Sequence, residues 1–478
     1  MFARTALVIA AALSIVSDAS KMSNSVHREL ELSATVSKVV VEFMDSNGPA
    51  LDAVGSIESA LSRGAHIENV RESLVVHAAN SQAPVLDAIK AFATKEGASA
   101  IKFESFWASN VVYIENAPAA LLESIAAIPG VSKVRTASSA RIPPVVIEDA
   151  TAAPQANEWG VEIIGAPKVW AKGNKGKGIV VGGIDTGVRA THEALKANFR
   201  ADHGWYDAYH NNTTPVDTVG HGSHTMGTSV GTTGIGVAPE ASWIACMGCD
   251  STTCPEYALL KCGEFMMCPT DENGKNPDCS KAAHVINNSW GSDDATETFY
   301  DATVAAWRKA NIIPVFANGN AGYKCSTVAS PGQGKLTFGI GATHKTDAIA
   351  SFSSRGPTPD GRIKPDLSAP GESVRSSLPR SDTSYGVYSG TSMATPHVTG
   401  AVALILAAKP GIKYDEIYKA FTSTTDTKTL IPTNQTCGGV SELKYPNNVY
   451  GYGRLNIDSA IASLSSSTVA PTTTKAAC

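Results

Sequence analysis

Three residues of the chain combine a reactive side chain with a context suited to acyl transfer: Asp185, His221 and Ser392. Asp185 closes the apolar run GIVVGGID, which puts a carboxylate at the carboxyl end of a buried strand, where open α/β sheets hold their sites. An isolated aspartate in such a place equally caps a turn. His221 lies in VGHGSHTMGTSVG, where flanking glycines allow a tight turn before a helix that is expected to begin at His221. His224 follows and is read as a structural histidine. Zinc is not indicated, because the segment lacks the glutamate and the i, i+4 histidines of zinc-binding helices. Ser392 sits in SGTSMATPHVTGAVALILAAKP, a loop entering a long apolar helix that should end near Lys409 and Pro410. A helix N-terminus offers free N–H groups and a positive dipole end to a developing oxyanion. Pro396 is expected in the first turn, where its missing N–H costs little. Each residue alone has an ordinary structural explanation, for the serine a helix cap. Together, in the order Asp, His, Ser, they supply an orienting carboxylate, a base and a nucleophile.

The elements that must position them fall into two domains. Between residues 20 and 148, VSKVVVEF reads as a strand and PALDAVGSIESALS as a helix. A further helix is expected from about Glu68 to Gly97, broken at Pro84. AIKFESFW and NVVYIE form a strand pair, PAALLESIAAI a helix and VSKVRT a closing strand, giving a small α+β domain of ferredoxin-like type. From IPPVV to ATAAPQAN periodicity fails, which marks an exposed, easily cleaved linker. The strands GIVVGGID, HVINNSW, IIPVFAN and LTFGIGA are near-continuous apolar runs separated by helical segments. That is the pattern of a doubly wound parallel α/β sheet with helices on both faces.

With these pieces in view, IDTGV, GHGSHTMGT, GIGVAP, INNSWG, ANGNAG and SGTSMATPHVTGAVAL resemble the subtilisin-like serine proteases over roughly residues 155 to 464. INNSWG, FSSRGP and KPDLSAPG resemble the bacillopeptidase F branch. The resemblance implies a serine endopeptidase with Asp185, His221 and Ser392 as its triad. It puts the oxyanion amide at Asn320, with Asn318 structural, and gives substrate-binding roles to the backbone of Ser289, Trp290 and Gly291 and to a pocket walled by Gly319 and Ala329. Both pocket residues are small and uncharged, so large hydrophobic side chains should be preferred before the scissile bond. The first domain resembles an inhibitory propeptide. TSVGTTGIGVAP lacks the calcium-loop insertion of many relatives, and Ala194 stands where they carry an aspartate. No cofactor is therefore expected to be required, and any structural calcium is unassigned.

Residues 1 to 19, with Arg4 before an apolar stretch and small residues after it, read as a secretory signal, so the expected location is extracellular. The domain reading is thus 1–19 signal, 20–148 propeptide, 149–464 peptidase domain and 465–478 a Ser/Thr/Pro-rich tail. The chain carries 39 Lys and Arg against 44 Asp and Glu, a net charge of −5, and no long run of one sign. Nucleic-acid and membrane partners are not indicated; the expected partners are peptide or protein substrates and the chain's own propeptide, on a monomer. Secretion favours disulfides among Cys246, Cys249, Cys254, Cys262, Cys268, Cys279, Cys325 and Cys437, with Cys478 left over. Six cysteines alone allow 15 pairings, so connectivity is not readable. Sequons stand at Asn211, Asn212, Asn287 and Asn434, of which Asn287 lies in an expected buried strand. Two alternatives stay open: a silent binding relative, and an exopeptidase of the same fold.

Overall fold

The structure is a computed structural model; it describes residues 21–55, 62–95, 101–148 and 157–465 of the 478. The proposed signal, part of the linker and the tail lie outside the described residues. In the first domain, strands β1 (Thr35–Phe43), β2 (Phe103–Phe106), β3 (Val111–Pro118) and β4 (Val131–Thr136) form an antiparallel sheet of order β2-β3-β1-β4. Helices α1 (Arg63–Lys95) and α2 (Ala119–Ala126) accompany it, with shorter helices at Asn24–Leu32 and Gly48–Ala53. One expectation is corrected: α1 runs through Pro84 without ending. The preceding turn is tied from outside, since the buried Gln82 amide donates to the Phe106 carbonyl at 3.2 Å and to Asn110 Oδ1 at 3.1 Å. These tertiary bonds offset the ladder bond that proline removes.

Two short strands, β5 (Ser139–Arg141) and β6 (Val146–Glu148), leave the first domain and cross the face of the second. The second domain is built on seven parallel strands in the order β14-β13-β12-β11-β7-β9-β8. They are β7 (Val180–Asp185), β8 (Trp205–Asp207), β9 (Ser242–Met247), β11 (Val285–Asn288), β12 (Ile313–Ala317), β13 (Phe338–Thr343) and β14 (Leu367–Pro370). β9, β12 and β13 are largely apolar runs, and they and β11 are buried almost throughout, as strands covered on both faces must be. Helices α3 (His221–Val230) and α6 (Thr391–Ala408) pack together against this sheet. Gly400 permits the close approach, because a Cβ there would lie 2.7 Å from the Ser229 carbonyl oxygen. Across the sheet, α4 (Glu256–Met267) and α5 (Asp301–Lys309) cover a second core containing Trp290, Tyr300, Trp307 and Phe316.

Outside the main sheet, β10 (Thr253–Pro255) pairs with β5, while β15 (Val374–Ser377) and β16 (Tyr385–Ser389) form a three-stranded sheet with β6. The disulfides join Cys246 to Cys262, Cys249 to Cys254, Cys268 to Cys279 and Cys325 to Cys437. Cys246 and Cys249, two residues apart in a CxxC spacing, thus take different partners and are both oxidised in disulfides.

Candidate active site

The candidate residues sit at chain breaks between elements. Asp185 ends β7, His221 opens α3 and Ser392 lies in the first turn of α6, all three 2 % exposed or less. His221 Nδ1 is 2.7 Å from Asp185 Oδ1. Asp185 also accepts from the Thr186 N–H at 2.7 Å and from the Thr225 hydroxyl at 3.2 Å, so its lone pairs are fixed from three directions. His221 Nε2 is buried and has no partner among the described residues. With Nδ1 held by the carboxylate, the proton-accepting lone pair belongs on Nε2.

Two glycines make this approach feasible. A Cβ on Gly222 would stand 2.0 Å from the Gly187 carbonyl oxygen and 3.1 Å from Asp185 Cβ, and Gly187 itself has φ +95°. A side chain on Gly222 would push α3 away from the end of β7, and one on Gly187 would meet the Val216 carbonyl oxygen at 1.9 Å.

A supporting ring of hydroxyl and carboxyl groups was not singled out from the sequence. Asp217 accepts from the N–H groups of Val219 at 3.0 Å, Gly220 at 2.7 Å and Ser223 at 2.8 Å, and from the Thr186 hydroxyl at 3.0 Å. Thr186 Oγ1 in turn accepts from Gly222 N–H at 2.9 Å. This carboxylate caps α3 and fixes the backbone that carries His221, although its own burial raises its pKa. The available signal was an aspartate four residues ahead of the histidine. His224 is placed elsewhere: it stacks on Tyr388 with centroids 4.5 Å apart, its Nε2 is 3.0 Å from the Val374 carbonyl, and burial lowers its pKa to about 3. It stays neutral.

Ser392 and Ser289 are mutually bonded. Ser392 Oγ donates to the Ser289 carbonyl at 3.2 Å, and Ser289 Oγ donates to the Ser392 carbonyl at 2.9 Å. The second contact corrects the expectation for Pro396, which lies beyond the first turn of α6. Its missing N–H leaves the Ser392 carbonyl without its intrahelical donor, and the Ser289 hydroxyl replaces it.

Asn320 stands beside Ser392. Its Oδ1 accepts from Thr391 N–H at 2.9 Å and Thr391 Oγ1 at 2.7 Å, which assigns the amide orientation and turns Nδ2 outward. Nδ2 donates to the Pro144 carbonyl at 2.8 Å. Thr391 was also missed, its only signal being its place before Ser392. Asn318 is directed away, its Nδ2 donating to the Ser354 carbonyl at 2.8 Å.

Residues 139–148 occupy the cleft in extended form. Arg141 exchanges backbone bonds with Gly291 at 2.9 and 3.0 Å, Ile142 N–H donates to the Thr252 carbonyl at 3.0 Å, and Val146 to Glu148 pair antiparallel with β16. Trp290 presents its ring to Tyr300 and Phe316 in the core, leaving its neighbours' backbone to the cleft. Gly291, Gly319 and Ala329 converge: Cβ atoms added to the glycines would lie 3.4 Å and 3.0 Å from Ala329 Cβ. Gly319 has φ +104°, so its bareness is conformational as well as steric.

The first domain is clamped to α4. Arg135 makes two 2.7 Å bonds to the buried Glu256 carboxylate, which also accepts from the Ser138 N–H at 2.7 Å. Glu264 Oε1 accepts from the N–H groups of Trp107 at 2.6 Å and Ala108 at 3.0 Å, and burial raises its pKa to about 8.

Of the sequons, Asn211 and Asn434 are exposed. Asn212 bonds Asp207 through its amide at 2.7 Å, and Asn287 is buried in β11.

Comparison with known proteins agrees with this geometry. The model of the Subtilase family matches residues 176–453. Bacillopeptidase F of Bacillus subtilis (strain 168) is 33% identical over 462 residues, 89% of this chain and 31% of that protein. Subtilisin E of the same strain is 34% identical over 268 residues, 54% of this chain and 62% of that protein. Serine protease AprX, also of that strain, is 30% identical over 320 residues, covering 60% and 66%. The chain thus spans about a third of the length of bacillopeptidase F and somewhat less than two thirds of subtilisin E.

Proposed function

The chain belongs to the subtilase family, and from that membership we propose that it is a secreted serine endopeptidase made as a zymogen. Asp185, His221 and Ser392 are its triad. The observation that carries this reading is the Asp185–His221 contact at 2.7 Å, which leaves the buried Nε2 as the only ring nitrogen able to take a proton.

In the mechanism, Ser392 Oγ leaves the Ser289 carbonyl and attacks the peptide carbonyl carbon as His221 Nε2 takes its proton. Asp185 holds the tautomer and balances the imidazolium charge. The oxyanion is received by Asn320 Nδ2 and by the N–H of Ser392 at the positive end of α6. His221 then returns the proton to the leaving amine, and water repeats the sequence on the acyl-enzyme. Nucleophile, base and oxyanion donors are all protein groups, which supports a reaction that requires no cofactor.

The substrate is an extended peptide held between β10 and residues Ser289, Trp290 and Gly291. Gly319 and Ala329 leave room for a large apolar side chain before the scissile bond. The chain's own residues 139–148 take this path, with the Pro144 carbonyl on the Asn320 amide, which supports the first domain as inhibitor and a maturation cut within about residues 140–156. N-terminal sequencing of the extracellular protein tests this. A start within 140–156 is expected, and a start near residue 20 would refute processing.

A further inference from the structure

The cleft grips the extended peptide on two edges of unequal security. Gly291 follows β11 and belongs to the main body of the domain. β10 does not: among the described residues its ladder partner is β5 alone, so without β5 or a peptide in its place no described strand lies beside its edge. The turn that presents it closes on itself, Asp250 N–H to the Thr253 carbonyl at 2.9 Å and Thr253 N–H to the Asp250 carbonyl at 3.0 Å. A two-residue hairpin of this kind is marginal when isolated. The Cys249–Cys254 disulfide brackets that turn. Cys254 lies opposite Ala140 in the ladder, and the Thr252 carbonyl between the cysteines receives the Ile142 N–H at 3.0 Å. At the other end of the bridge, the Cys249 N–H donates to the Asp185 backbone carbonyl at 3.1 Å. Both sulfurs' residues are fully buried. One covalent bond therefore connects the outer edge of the peptide groove to the strand end that carries Asp185.

Resting on the peptidase reading, we propose that the Cys249–Cys254 disulfide is a positioning element for extended substrates. It holds β10 preformed as the strand against which residues three to six positions before the scissile bond are paired. Preforming that edge removes the ordering cost that a free loop would charge against each bound peptide. A short substrate that ends before β10 gains nothing from it. The bridge therefore sets the enzyme's preference for long peptides over short esters, separately from the chemical step.

The test uses the full chain carrying Cys249→Val and Cys254→Ala, with active sites counted by a fluorophosphonate so that unfolded protein drops out. A peptide filling six positions before the scissile bond is compared with an N-acetylated single-residue ester. Loss of backbone bonds to β10 should lower kcat/KM on the peptide by about tenfold, chiefly through KM, against roughly threefold or less on the ester. A Cys268→Ala, Cys279→Ala control, whose bridge lies at the far end of α4, should leave the ratio between the two substrates unchanged. If the first pair does not fold, Thr253→Gly keeps the bridge, loosens the turn and should lower the same ratio. Equal losses on both substrates, or none, would overturn the proposal. Failure of the unsubstituted protein to hydrolyse either would remove the peptidase reading itself, and the inference with it.

Discussion

Ser289 and Ser392 exchange hydrogen bonds, each hydroxyl donating to the other's carbonyl at 2.9 and 3.2 Å. The Ser289 hydroxyl finds the Ser392 carbonyl free because Pro396 has no N–H to give it. Ser289→Ala should therefore leave a buried carbonyl unpaired and destabilise the protein by about 1–3 kcal/mol. Thermal unfolding in a Ser392→Ala background, which prevents self-digestion, would measure it. An unchanged midpoint would show that the Ser392 carbonyl finds another donor.

Asn320 and Thr391 form a donor and its holder. Asn320→Ala should cost about 10²- to 10³-fold in kcat with little change in KM, the loss known for a single oxyanion donor of a subtilisin. Thr391→Val removes one of the two bonds on Asn320 Oδ1 and should cost roughly tenfold, again in kcat. Steady-state kinetics on one peptide substrate separates the two effects from a loss of binding.

The buried carboxyl groups of α4 predict a pH dependence of stability. Burial raises Glu264 from 4.5 to about 8, although the N–H groups of Trp107 and Ala108 act in the opposite sense, and burial shifts Glu256 in the same direction. A carboxyl group with a higher pKa in the folded protein takes up a proton on folding. The stability it contributes is then largest below about pH 4.5 and falls as pH rises towards 8. Thermal unfolding in a Ser392→Ala background should show a higher midpoint at pH 5 than at pH 9. Glu264→Gln should flatten that difference.

The pocket reading predicts cleavage after large apolar residues. Ala329→Leu should fill the space shared with Gly291 and Gly319 and shift cleavage of a peptide library towards small residues. Strict cleavage after Arg or Lys by the unsubstituted protein would contradict the assignment.

The strands of the main sheet were legible because burial on both faces forces unbroken apolar runs, and the positions of Asp185, His221 and Ser392 followed from the strand or helix ends they occupy. The supporting residues were not. Thr186, Asp217, Thr225 and Thr391 are ordinary polar residues whose partners are distant in sequence, Asp217 from Thr186 for example, and only folding brings them together. Pro84 misled for a related reason: its local signal is strong, but the Gln82 contacts that override it come from β2 and the turn after it. The disulfide pairs and the Arg135–Glu256 clamp are likewise tertiary facts.

The central claim is that Ser392 is the nucleophile activated by His221. Covalent labelling of the purified protein with a serine-directed fluorophosphonate tests it most directly. The account predicts stoichiometric label on Ser392, none on Ser392→Ala and strongly slowed labelling of His221→Ala. Equal labelling of the parent and Ser392→Ala proteins would contradict it.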